Sequence, residues 1–200
     1  MDGDRINMII KDPDRTWFTA DNHFGHENII DFQKRPYLNT GVMDRDMIER
    51  WNARVQPSDT VYHLGDFTLG YAGRAIQILK KLNGTIFMLY TSFHHDRRWL
   101  SNSEARKYVR VMPPLVALEC PAYGDGEFNL PIILCHYPMA EWDRRHYGSW
   151  HLHGHSHGEY AAPGNILDVG VDCWDYAPIA LTQIKLILDT KRESEALSAK

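Results

Sequence analysis

Short apolar runs bounded by turn residues alternate along this chain with longer stretches whose apolar positions recur at helical steps. TWFTA (16–20), TVYHLG (60–65), TIFMLY (85–90), PIILCH (131–136) and SWHLHG (149–154) are short and rich in β-branched or aromatic residues, which predicts strands. YVRVM (108–112), LVALEC (115–120), ILDVGV (166–171) and LTQIKLIL (181–188) predict more. Residues 43–55 carry Met47, Trp51 and Val55 at four-residue steps, a helical pattern. Residues 72–82 bring Ile76, Leu79 and Leu82 to one side, and Asn83-Gly84 supplies a stop. Strands and helices alternate early, while later strands follow one another closely. That order predicts an α/β protein with mixed sheets. With 200 residues and no repeat or linker, the chain reads as a single domain over 1–200, and the polar stretch 191–200 is expected to fray.

The polar clusters sit where the predicted strands end. Asp21 and His23 follow the first, Asp66 follows TVYHLG, and His94, His95 and Asp96 follow TIFMLY; His136 ends PIILCH. In sheets with parallel strands, residues just beyond the carboxyl ends converge on one crevice. The segment WHLHGHSHG (150–158) adds His151, His153, His155 and His157 on alternate positions. Each imidazole has two nitrogens that need partners, so an apolar core has little use for such a row. Either it is a solvated loop or it binds metal. Two neighbouring cations need a shared carboxylate, further carboxylate and imidazole ligands, and open positions for water and a phosphate oxygen. Asp66, with Gly65 before it, is the natural bridge.

Composition narrows the function. A net charge of −4, from 26 acidic and 22 basic residues, argues against general duplex nucleic-acid binding but leaves a small phosphate ester or nucleotide open. Three widely spaced cysteines suit reduced thiols in a cytoplasmic protein. No run of about 18 apolar residues is present, and the charged N-terminus lacks a signal-peptide core. No membrane association is expected.

The ordered clusters, DNH (21–23), GD (65–66), HHD (94–96), H (136) and GHSH (154–157), resemble the motifs of the calcineurin-like metallophosphoesterases. That family's pattern is D-x-H, G-D, G-N-H-[DE], H and G-H-x-H. Four of the five match, over most of the chain. DNHFGHENII and HGHSHG resemble a small bacterial and phage branch. The resemblance implies a four-layer αββα sandwich with two mixed β-sheets and two divalent or trivalent ions (Mn, Fe, Zn or Ni). Asp21, His23 and His157 would hold the first ion, Asp66, His136 and His155 the second, with Asp66 shared. It further implies hydrolysis of a phosphoric ester, as a phosphodiesterase or phosphatase, by water activated between the ions. His151 and His153 would orient ligands or make structural hydrogen bonds.

The third motif departs from the family. Phe93-His94-His95-Asp96 stands where Gly-Asn-His-Asp is usual. His94 then occupies the place of a second-ion ligand. His95 is expected to act as acid on the leaving oxygen, oriented by Asp96. A shift of one residue would give that role to His94 instead. Arg97 and Arg98 follow and are candidates for substrate phosphate, as is His26, which could alternatively cap the next helix. His63 reads as a hydrogen-bonded core histidine. The altered motif keeps a second function open, a metal-binding scaffold with little hydrolysis.

Overall fold

The computed structural model describes residues 8–90, 95–123 and 130–198. In one sheet β2 (Thr16–Thr19), β3 (Thr60–His63), β4 (Thr85–Leu89) and β5 (Arg110–Met112) run parallel, and β10 (Ile179–Ala180) joins β2 antiparallel. The other has the order β1 (Met8–Ile9), β6 (Leu115–Glu119), β7 (Ile132–Cys135), β8 (Trp150–His153) and β9 (Ile166–Asp168). Only its β6–β7 pair is antiparallel.

Strand alternation divides the apolar residues between layers. In β3, Tyr62 enters a core shared by both sheets, with Phe18, Leu118, Leu134 and Leu152. Val61 points the other way, onto α2 (Thr40–Arg54) and α3 (Ala72–Leu79), where Met43, Met47, Trp51 and Ala75 pack. Asn39 starts α2 by accepting a hydrogen bond from Val42 N at 3.0 Å. In β7, Leu134 joins the shared core while Ile133 faces outward against Trp142 and Ile166. The result is an α/β sandwich of two mixed sheets flanked by helices, matching the calcineurin-like metallophosphoesterase fold.

Two local expectations are corrected. Residues 181–188 form the start of α5 (Leu181–Ser198), not a strand. Leu181, Ile184 and Leu188 are buried, and their spacing of three and four is helical. Residues 191–198 continue that helix, and side chains there contact the rest of the chain. Lys191 Nζ donates to Ala162 O at 2.6 Å, and Gly164 N donates to Glu195 Oε1 at 3.1 Å. Finally, α3 ends at Leu79 and buries Ala75, Ile78 and Leu79, leaving Ile76 and Leu82 half-buried. Among the described residues no helix is long and apolar enough to cross a membrane, and the three cysteines are free thiols.

Candidate metal centre

Backbone pairing continues past the strand ends and brings the loops together. Asp21 N donates to Gly65 O at 3.0 Å, His23 N to Asp66 O at 3.0 Å, and Phe24 N to Phe67 O at 2.9 Å. The loops after β7 and β8 join through Gly154 N and His136 O at 3.0 Å. Val171 N reaches Ala20 O at 3.0 Å and ties the two sheets together at this end. Clusters remote in sequence therefore meet in one place, as strand-end convergence predicts.

Two groups of donors result, Asp21 with His23 and His157, and Asp21 with Asp66 and His136; within each, one ligand atom per residue lies within 4.8 Å of the others. Asp66 Oδ2 is 3.7 Å from His23 Nε2 and 3.5 Å from His136 Nε2, so it stands between the halves. The hydrogen bond between His136 Nδ1 and Leu64 O, 3.1 Å, leaves Nε2 facing Asp66. Asp21 belongs to both groups, whereas the resemblance placed only Asp66 in common. His155 is more peripheral. Its exposed ring lies 5.3 Å from that of His136, and its backbone N donates to Asp21 Oδ2 at 2.8 Å.

Several features fit this cluster to cations. Asp21 Oδ1, Asp66 Oδ1 and His23 Nδ1 are buried without a hydrogen-bond partner. Folded proteins seldom leave such atoms unpaired, since each costs about 1–3 kcal/mol. Two carboxylates and several imidazoles also form the donor set that Mn, Fe, Zn or Ni accepts. Further, Asp21, His23, Asp66, His155 and His157 all have φ between 47° and 67°. The left-handed region costs an L-residue roughly 1–2 kcal/mol, with Asp among the more tolerant. Clustered strain of this kind is typical of functional sites. It also explains why strand alternation fails beyond Gly154: His155 and His157 lie in a left-handed loop.

Burial and charge set the protonation of these groups. Burial raises the Asp21 carboxyl to about 7, against the opposing pull of His136 and His157. Burial also opposes the charge of Asp66, but the hydrogen bond and charge of His136, with His23 and His95, outweigh it and hold this carboxyl below the usual range. Burial lowers His23 to about 3. His136 and His157 are raised despite burial, through Asp66 and Asp172 respectively.

The remaining expectations divide. His95 is exposed, with its ring 6.0 Å from that of His23. The His26 ring lies 5.5 Å from that of His23; His26 occupies the N-cap of α1 (Glu27–Phe32) but makes no capping bond through its side chain. Among the described hydrogen bonds none joins Asp96 to His95. Its fully buried carboxylate instead accepts from Phe67 N at 3.0 Å, Thr68 N at 3.1 Å and Trp99 Nε1 at 2.5 Å. It therefore braces the loop that carries Asp66. Arg97 and Arg98 open α4 (Arg97–Leu100) and are exposed, and no described hydrogen bond or ion pair links them to the cluster. His94 and Phe93 lie outside the described residues.

His63 is a core residue, with Nε2 2.8 Å from Asn22 Oδ1 and Nδ1 accepting from Gly65 N. His151 and His153 make structural bonds on the outer face of β8, to Ile133 O at 3.1 Å and Gly154 O at 2.9 Å. Three residues that shape the site carried no sequence signal: Arg35, Asp168 and Asp172. Asp168 accepts from Ser156 Oγ, Gly158 N and Gly170 N at 2.7–2.9 Å and so fixes the loop bearing His155 and His157.

No family model matches the chain. It is 27% identical over 184 residues to the uncharacterised protein MJ1445 of Methanocaldococcus jannaschii, covering 88% of this chain and 92% of that one. It is 26% identical over 185 residues to the Gene 66 protein of Mycobacterium phage L5, covering 80% and 87%. The crystal structure of AQ665 from Aquifex aeolicus, described as a protein of unknown function, superposes with a TM-score of 0.61 at 23% identity, covering 86% of this chain and 98% of that one. What this chain shares with that solved structure is a fold, here a metallophosphoesterase-like sandwich whose strand ends gather two candidate metal-binding clusters.

Proposed function

We propose that the protein is a dinuclear metal-dependent hydrolase of phosphoric esters, acting on a small phosphate ester or nucleotide. The observation that carries this reading is the convergence of three unpartnered buried donors, Asp21 Oδ1, Asp66 Oδ1 and His23 Nδ1. Asp21, His23 and His157 would hold one ion; Asp66 and His136, with Asp21, His155 and His94, would hold the other. Ions held there supply Lewis-acid polarisation of a phosphoryl oxygen and a water acidic enough to ionise near neutral pH.

The chain's own groups supply the rest. His95, exposed beside His23, holds a proton for the departing oxygen. His26, whose buried Nδ1 has no partner, lies beside His23 and would orient the ester. Arg97 and Arg98 add positive charge for an anionic substrate at the exposed start of α4.

The test is a screen of metal-free protein against mono-, di- and cyclic phosphate esters, adding one ion at a time. Ion-dependent hydrolysis that is lost in Asp66→Asn supports the proposal. Two bound ions with no hydrolysis of any ester would instead establish the scaffold reading. A single closed-shell zinc per chain would defeat both.

A further inference from the structure

The side chains of Arg35 and Asp172 link the two loops that supply the first group of donors. Arg35 is buried, and its guanidinium meets the Asp172 carboxylate through two bonds, Nε to Oδ1 and Nη2 to Oδ2, each 2.7 Å. The same guanidinium donates to Asp21 O at 2.8 Å and to Asn22 O at 2.9 Å. It thus grips the backbone between Asp21 and His23, the two residues there in the left-handed region. On the other side, Asp172 Oδ2 is 2.7 Å from His157 Nδ1. Asp172 Oδ2 therefore meets both one arm of the Arg35 fork and the His157 ring, while Oδ1 takes the other arm. The His157 ring also stacks on that of His23, with centroids 5.4 Å apart.

A proton held on His157 Nδ1 by this bond leaves the Nε2 lone pair for an ion. The guanidinium is planar and bidentate, so it fixes the carboxylate plane and, through it, the ring. Neither Arg35 nor Asp172 belongs to a donor group. Their bonds reach Asp21, Asn22 and His157, and none reaches Asp66 or His136.

We propose that Asp172, clamped by Arg35, is a positioning residue that sets the affinity of the ion held by Asp21, His23 and His157 more strongly than that of the other ion, which shares only Asp21 with it. This rests on the dinuclear reading above. Outer ligands of this kind commonly change metal affinity about ten- to a hundredfold when removed. Asp172→Asn keeps the shape of the side chain but removes its charge and one acceptor. Arg35→Lys keeps the charge but loses the fork.

The experiment is calorimetric titration of metal-free wild-type protein and variants with Mn2+ alone, with melting curves on the metal-free proteins. His157→Ala and His136→Ala identify which binding step belongs to which donor group. We expect Asp172→Asn and Arg35→Lys to weaken the step that His157→Ala removes by about ten- to a hundredfold, and to weaken the step lost in His136→Ala clearly less. Equal weakening of both steps, or none, overturns the proposal. Should Asp172→Asn fail to fold, Arg35→Lys and the stepwise comparison with His157→Ala decide it. Wild-type protein that binds fewer than two ions overturns the dinuclear reading itself, a result distinguishable from two normal ions in the variants.

Discussion

Gly154 and Asp21 touch so closely that a Cβ on Gly154 would lie 2.6 Å from Asp21 Oδ2. The same Cβ would lie 2.5 Å from the Cβ of Ala20, which is fully buried and cannot withdraw. Gly154→Ala must therefore displace the Asp21 carboxylate or the loop carrying His155 and His157. Overpacking of this kind costs about 1–3 kcal/mol. We expect a lower melting temperature for the metal-free protein and weaker uptake of both ions, measured by scanning calorimetry and metal titration. Normal uptake would show that the contact does not position Asp21.

Asp21→Asn should separate stability from binding. Burial raises the folded Asp21 carboxyl from its ordinary 3.8 to about 7. An acid raised on folding contributes its stability below the unfolded value and loses it as pH rises through the folded one. Without metal, wild type therefore loses this contribution between about pH 4 and 7. Asn cannot ionise, so metal-free Asp21→Asn should melt higher than wild type at pH 8, with the gap narrowing towards pH 5. Metal uptake should fall in the variant. A gap independent of pH would refute the assignment of the raised group to Asp21.

Ion binding should also release protons. Asp21, raised to about 7, and His136 and His157, both held above their ordinary values, carry protons that a cation must displace. His23, lowered to about 3, carries none near neutrality. Affinity should therefore decline as pH falls below about 7, with more protons released at pH 6 than at pH 8. Calorimetry in buffers of different ionisation enthalpy counts them directly.

His95 and Asp96 should behave differently although they are adjacent. His95→Ala is expected to reduce turnover about 10²–10⁴-fold with ion binding and melting temperature unchanged. Asp96→Ala removes the acceptor for Phe67 N, Thr68 N and Trp99 Nε1, leaving buried donors unpaired. It should destabilise the fold by several kcal/mol and weaken ion binding through the Asp66 loop. Matching effects in the two variants would restore a His95–Asp96 partnership.

Much of the fold was legible because the strands are short, alternating and bounded by turns. α5 was misread because Leu181, Ile184 and Leu188 sit in a run with enough β-branched residues to resemble a strand, and only their packing against the shared core settles it. The candidate site was legible in its residue types and order, since Asp and His at successive strand ends are few and distinctive. Its finer arrangement was not. The place of Asp96 under the Asp66 loop, and of Asp21 in both donor groups, depends on which oxygen faces which neighbour.

The sequence by itself determined that imidazoles and carboxylates gather at strand ends, because periodicity and turn chemistry act over a few residues. Only the tertiary structure decided that Arg35 and Asp172, 137 positions apart, share one ion pair behind His157. It likewise decided that Gly154 and Gly170 leave room for the Asp21 carboxylate. Contacts across such separations come from how two sheets pack and how their loops turn, and no local spacing encodes them.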